Sequence, residues 1–261
     1  MLLGEVERWR EHGFVVGFWK VSREQNTEAD AAAKKAAETG TAEPEFRDVM
    51  IEGSETTAAG DQPLPHILAL CFEYEDLFYT VHDGLVQQLS AKSRLQRATT
   101  PAAALDMLSQ SPAPSVILVA DAAMTRHNKI CERVIDLLRK GATVVLAGCF
   151  SSMVSQGQFD RFFARVGLLW RRGSYYRVTT RLRRRAVGDR LAGRLPAAYS
   201  QKAVFVKRVD KSAVWYAEKE TGNEAAVVFA KVGKGMLGYV GDVNGEEGSK
   251  AVVLAMCGLL D

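Results

Sequence analysis

The chain has 261 residues, of which 47% are apolar and 25% charged. That balance is ordinary for a globular protein with a full core, and the length allows one large domain or two unequal ones. A net charge of +3 is too small to mark a nucleic-acid binder by its total. The scattered cysteines Cys71, Cys131, Cys149 and Cys257 form no C-x-x-C pair, which argues against a zinc site and a secreted disulfide framework.

Residues 2–12 read as a helix, with Leu2, Leu3, Val6 and Trp9 on one face. The segment is charged and lacks the apolar stretch of a signal peptide, and no apolar run reaches the ~20 residues that span a bilayer. A cytoplasmic or nuclear location without a membrane is therefore expected. Gly13 ends this helix, residues 14–21 read as a buried strand, and Asn26 suits the N-cap of an alanine-rich helix through Ala37. Residues 39–63 are rich in Gly, Thr, Glu and Ala. They bury too little to offset their ordering entropy, and they read as an acidic flexible linker with a short contact at Val49–Ile51.

From Pro65 strands and helices alternate. The predicted strands are His66–Cys71, Arg94–Ala98, Val116–Ala120 and Thr143–Ala147. The predicted helices are 76–90, Pro101–Ser109, Asn128–Lys140 and Gln158–Val166. Pro101 suits a first helical turn and Gly141 a C-terminal cap. Alternation of this kind predicts an α/β fold with a parallel sheet covered on both faces. Shorter strands follow at Tyr175–Leu182, Ala203–Val209, Ala213–Ala217, Ala225–Lys231 and Met236–Val240, with a turn at Gly233–Gly235 and a closing helix Ser249–Leu260. These add an antiparallel region. The expected organisation is thus residues 1–38, a linker over 39–63, and a large domain over 64–261.

Residues 16–37, VGFWKVSREQNTEADAAAKKAA, with the preceding Glu7-Arg8-Trp9, resemble the last strand and helix of type 1 ribonuclease H. The resemblance implies that Asp30 matches one carboxylate of a two-ion magnesium site that cleaves RNA in RNA–DNA hybrids. The other carboxylates of that site lie on earlier parts of the family fold. On the residues alone, Asp30 reads as a helix-start carboxylate favoured by the helix dipole rather than as a metal ligand. Without the ribonuclease H reading no cofactor is expected.

Val116–Asp121, the helix ending Arg139-Lys140-Gly141, the run Ala142–Ser152 and the closing Gly233–Gly235 and Gly241–Asn244 are together similar to the class I glutamine amidotransferase superfamily. The implied fold is flavodoxin-like. In glutaminases of that superfamily a cysteine on the turn after a strand is activated by a His and a Glu beyond the last large strand. Cys149 stands near that place, but Gly241-Asp242-Val243-Asn244-Gly245-Glu246-Glu247 carries no His, and every histidine of the chain precedes Cys149. A thiol without a base is largely unreactive at neutral pH. This favours a non-hydrolytic binding or interaction module over a Cys149-dependent hydrolase.

Ligands of open α/β sheets bind beyond the carboxyl ends of the strands. Those ends carry Glu73, Asp121, Cys149, Ser151 and Ser152, which are expected to line the main concavity. Ser151 and Ser152 also suit capping of the next helix.

Residues 165–194 are rich in arginine, including Arg171, Arg172, Arg183, Arg184 and Arg185, with Trp170, Tyr175 and Tyr176 interleaved. Arginine forks hold phosphates and aromatics stack on bases, so the segment is a candidate contact for nucleic acid or another polyanion. The spacing of Arg181, Arg183 and Arg185 also fits one face of a solvated edge strand.

Overall fold

In the computed structural model, residues 64–219 and 222–260 are described. Asp30, the ribonuclease H-like segment and the acidic linker lie outside them.

Among the described residues, strands β1 (His66–Leu70), β2 (Arg94–Ala98), β3 (Val116–Val119), β4 (Thr143–Leu146), β5 (Arg171–Leu182), β6 (Ala198–Lys207), β7 (Val214–Ala217), β8 (Glu224–Ala225), β9 (Val227–Val232) and β10 (Gly235–Val240) form one sheet. Their order is β2-β1-β3-β4-β10-β9-β7-β5-β6-β8. The first five neighbours run parallel, with β10 added beside β4, and from β9 onward every pairing is antiparallel.

Every residue of β3 is buried because helices cover both faces of the sheet, as a parallel sheet requires. Alternate residues feed two cores. Leu68, Leu70, Ile117, Val119, Val144 and Leu146 meet helices α3 (Pro101–Leu108), α4 (Asn128–Lys140) and α6 (Gln156–Val166). Ile67, Ala69, Leu118, Val145 and Ala147 meet α1 (Glu75–Val81), α2 (Asp83–Lys92) and α9 (Glu247–Met256).

The caps follow local chemistry. Thr100 accepts the Ala103 amide ahead of Pro101, Gly141 ends α4 at φ 130°, and α6 starts with a reciprocal Ser155–Gln158 capping box. That cap corrects the assignment of Ser151 and Ser152. A short turn, α5 (Phe150–Met153), intervenes and consumes them before α6 begins.

Three further expectations are revised. The helix expected over 76–90 is broken at His82 (φ −112°, ψ 24°), so α1 and α2 meet at an angle two residues before Gly84. The strand expected over 225–231 splits at Ala226, whose amide turns to the Tyr216 carbonyl at 3.0 Å. β5 ends at Leu182, and Arg184–Val187 is a helical turn, α7, followed by α8 (Asp189–Ala192). Arg183 and Arg185 therefore do not continue a strand face.

The loop after β10 is clamped by β6. Val204 donates to the Gly241 carbonyl at 2.8 Å, and Val243 donates to that of Lys202 at 3.0 Å. A side chain at Gly241 would run into the Val204 carbonyl, so only glycine permits this approach.

Candidate functional site

The strand order reverses between β1 and β3, and the residues expected to form a crevice there serve the fold. Asp121 is 1% exposed. Its Oδ2 accepts the amides of Phe72 at 2.7 Å, Glu73 at 2.8 Å and Tyr74 at 3.4 Å, and its Oδ1 accepts Ala123 at 2.9 Å. A carboxylate so surrounded is an internal anchor for two loops. Glu73 points outward and pairs with Arg126, both nearly half exposed. Ser151 is fully buried and donates to the Asp242 carbonyl at 3.1 Å, while Ser152 faces solvent.

Cys149 follows β4 in ordinary right-handed helical geometry (φ −75°, ψ −5°). The positive φ of this turn, 62°, belongs to Gly148. Burial, and after it the charge of Asp121, pushes the Cys149 thiol up to about 11. Burial and then Asp121 also raise Cys71 well above the ordinary thiol range. Among the described residues no histidine hydrogen-bonds Cys149. His66 pairs with Gln96 at 2.7 Å, His127 stands edge-on to Phe72, and His82 lies over Phe78. The sulfur is a poor thiolate in this setting.

The loop beyond β10 carries no histidine, and its chemistry lies in two carboxyl groups. Asp242 is 2% exposed; its carboxyl accepts the amides of Asn244 at 2.9 Å and Glu246 at 2.8 Å. Burial, and then the Glu246 carboxylate beside it, pushes Asp242 up to about 7. Burial opposes the charge of Glu246, but the hydrogen bonds from Asp242, from the Lys202 amide at 3.2 Å and from Arg177 at 2.8 Å outweigh it and lower its carboxyl below the ordinary range. The nearby His82 imidazole is lowered by its burial. The signal for this cluster was present in the two acidic residues of the loop. Its partner His82 stands far away along the chain, and no local pattern connects them. Among the described residues no group of three or more His, Cys, Asp or Glu side chains could hold a metal ion.

The larger hollows lie at the antiparallel end of the sheet, which corrects the expectation that the strand-end crevice is the main concavity. One, of about 920 Å³, is lined by Arg181, Arg183, Arg184, Arg185, Lys211 and Lys219, with Glu218 as its carboxylate. The other, of about 510 Å³, is lined by Arg171, Arg183, Lys207, Arg208 and Lys211, with Glu224. Arg183 and Lys211 border both, so the two adjoin, and together they make the basic trough; Arg183 also donates to the Lys219 carbonyl at 2.7 Å. Glu224 is already engaged by Lys207 at 3.0 Å and by Ser174. Arg208 is held at φ 58°, a left-handed conformation that costs a non-glycine residue free energy and that clusters at working surfaces. Arg172 lines neither hollow; its Nε is buried and has no hydrogen-bond partner among the described residues. Neither Tyr175 nor Tyr176 is among the lining residues: Tyr175 lies under Lys202, and Tyr176 stacks on Phe205 with ring centroids 4.7 Å apart while its hydroxyl donates to Glu218 at 3.0 Å. No helix among the described residues is long and apolar enough to cross a membrane.

Searches against protein-family models and against curated proteins found no match. Solved structures do share the fold. A ThuA-like protein from Bacteroides uniformis aligns over 77% of this chain and 93% of its own, with a TM-score of 0.52 and 9% identity. A ThuA-like protein from Parabacteroides merdae aligns over 76% and 90%, with a TM-score of 0.50 and 10% identity. The mixed α/β sheet is thus an amidotransferase-like fold. The family expectation is corrected on both counts: the neighbours are ThuA-like, a distinct variant of that fold, and nothing among them supports ribonuclease H.

Proposed function

We propose that this chain is a non-hydrolytic binding module that holds a phosphate-rich polyanion, nucleic acid included, along the trough of Arg181, Arg183, Arg184, Arg185, Arg208 and Lys211. The observation that supports this reading is the adjacency of two basic hollows that share Arg183 and Lys211. A cluster of cations suits a ligand with charges repeated along a chain, and arginine forks engage phosphate oxygens in pairs. The lining contains no aromatic ring, so contacts to the backbone, without base stacking, dominate and sequence preference is weak. Covalent catalysis finds no support in the buried, high-pKa Cys149.

The test is binding of a labelled single-stranded RNA, with inorganic polyphosphate as competitor, over a range of salt. Each phosphate contact contributes a slope of about −0.7 in log affinity against log salt. Changing Arg183, Arg184 and Arg185 together to Ala is expected to weaken binding at least tenfold and to flatten the slope by about two. Equal binding by variant and parent, or affinity insensitive to salt, overturns the proposal.

A further inference from the structure

We propose, resting on the reading of the trough as a polyanion site, that Glu218 makes it selective for RNA by accepting the 2′-hydroxyl of a ribose whose phosphates lie on the arginines. Glu218 follows the last residue of β7, Ala217, and is the carboxylate that lines the larger hollow. Its Oε2 accepts the Tyr176 hydroxyl at 3.0 Å. That tyrosine is itself fixed, its ring stacked within 4° of parallel on Phe205. The carboxylate is thus held at one oxygen by a rigid side chain of the neighbouring strand.

The two carboxylates of the trough differ in what they have left to offer. Glu224, in the smaller hollow, is consumed by Lys207 at 3.0 Å and by the amide and hydroxyl of Ser174, each at 3.1 Å. Glu218 takes a single hydrogen bond, from a neutral donor. Among the described residues it forms no ion pair, although Arg181, Arg184, Arg185, Lys211 and Lys219 line the same hollow. An ionised carboxylate only accepts, and one tyrosine hydroxyl leaves most of its lone pairs unused. A ligand made of phosphates alone has nothing to give it and is repelled by it. A ligand that carries a donor between its charges is matched to both. Few groups on a polyanion can donate. Base edges carry amino groups, but the lining holds no aromatic ring on which a base would stack. Along the backbone the phosphate oxygens accept, and the donor is the 2′-hydroxyl, the group that distinguishes RNA from DNA. Inorganic polyphosphate has no such donor either.

The experiment measures binding of the full chain, at one salt concentration, to three single strands of the same sequence: RNA, DNA and 2′-O-methyl RNA. The last keeps the ribose and the phosphates but has no donor at that oxygen. The parent is expected to bind RNA about tenfold more tightly than either of the others, the effect of one hydrogen bond to a charged acceptor. Glu218→Ala is expected to bring the three affinities within about twofold of one another, by a loss at RNA and a gain at DNA as the repulsion is removed. Tyr176→Phe keeps the stacked ring and removes the hydroxyl that positions the carboxylate. It is expected to narrow the preference for RNA while leaving the affinity for DNA unchanged, which a general loss of structure would not do. Equal binding of RNA and 2′-O-methyl RNA by the parent overturns the proposal and leaves the polyanion reading of the trough standing. A full preference kept by Glu218→Ala has the same meaning. Failure to bind any of the three strands overturns both. The parent's three affinities decide the matter even where a variant fails to fold.

Discussion

The two halves of the sheet use charge in opposite ways. At the ends of β1 and β3 the carboxylate of Asp121 is turned inward and shared among four backbone amides. At the far end, beyond β7 and β5, cations line hollows open to water. A polar side chain buried in the parallel half is there because the loops would otherwise leave amides unsatisfied. The cations of the antiparallel half reach their partners at the surface, Lys207 with Glu224 at 3.0 Å and Arg183 with the Lys219 carbonyl at 2.7 Å. The comparison teaches that acidic residues at strand ends are not a site until their partners have been counted.

The sharpest way to break this contrast is Asp121→Ala. Four buried or half-buried amides lose their acceptor together, and a loss of about 3–5 kcal/mol in urea denaturation is expected. A change under about 1 kcal/mol would show that water replaces the carboxylate and that the crevice is open after all.

Cys149 tests the same half by chemistry. With its thiol near 11, iodoacetamide at neutral pH should modify it roughly 300 times more slowly than a free cysteine of ordinary pKa. Rapid, selective alkylation would reveal an activating group in the parallel half.

The loop after β10 lies between the two halves and predicts a pH effect. The folded pKa of Asp242, about 7, lies above its ordinary 3.8. The folded state therefore binds the proton more tightly than the unfolded one. Stability from this group is full below about pH 4 and declines up to about 7, with a slope of at most about 1.4 kcal/mol per pH unit. Asp242→Asn should remove that decline in denaturation series across the window. An unchanged decline would place the titrating group elsewhere.

The smallest effects should come from exposed charges. Glu73→Gln breaks a solvent-exposed ion pair with Arg126 and should cost under about 0.5 kcal/mol. The alanine changes at Arg184 and Arg185 should each stay near that figure while binding falls. A large stability loss there would make the basic face structural and erase the contrast.

What was legible in the sequence follows the same division. β1, β3 and β4 show as short apolar runs because both faces of each are covered, and Asn128–Lys140 shows its buried stripe and its closing Gly141. Of the later strands, β7 and β10 fall within one residue of expectation, whereas β5 and β6 were found but misbounded. Arg171 starts β5 behind a bulge at Arg172–Tyr175, and Ala198 starts β6 well before its apolar stretch. Their half-exposed ribbon has no strong apolar alternation to mark its ends. The arginine-rich segment announced itself by composition, but the contributions of Arg208, Lys211 and Lys219 depend on how β6, β7 and their loops fold together. Asp242 and His82 meet only through the clamp of β6 on the last loop and the break between α1 and α2, and neither is a local property of the chain.

The position of β10 has a consequence for how this chain must assemble. The strand is central in space, between β4 and β9, yet it is the last strand in sequence. Until residues 235–240 are synthesised, β4 presents one bare hydrogen-bonding edge, flanked by the exposed apolar faces that α9 later covers. Parallel pairing of β10 with β4 spans about ninety residues of chain, a contact of long separation that closes slowly. During that interval the nascent β4 edge is a template for pairing with other chains. Aggregation during synthesis should therefore respond most strongly to truncations that remove β10 and α9, and much less to changes in the basic face.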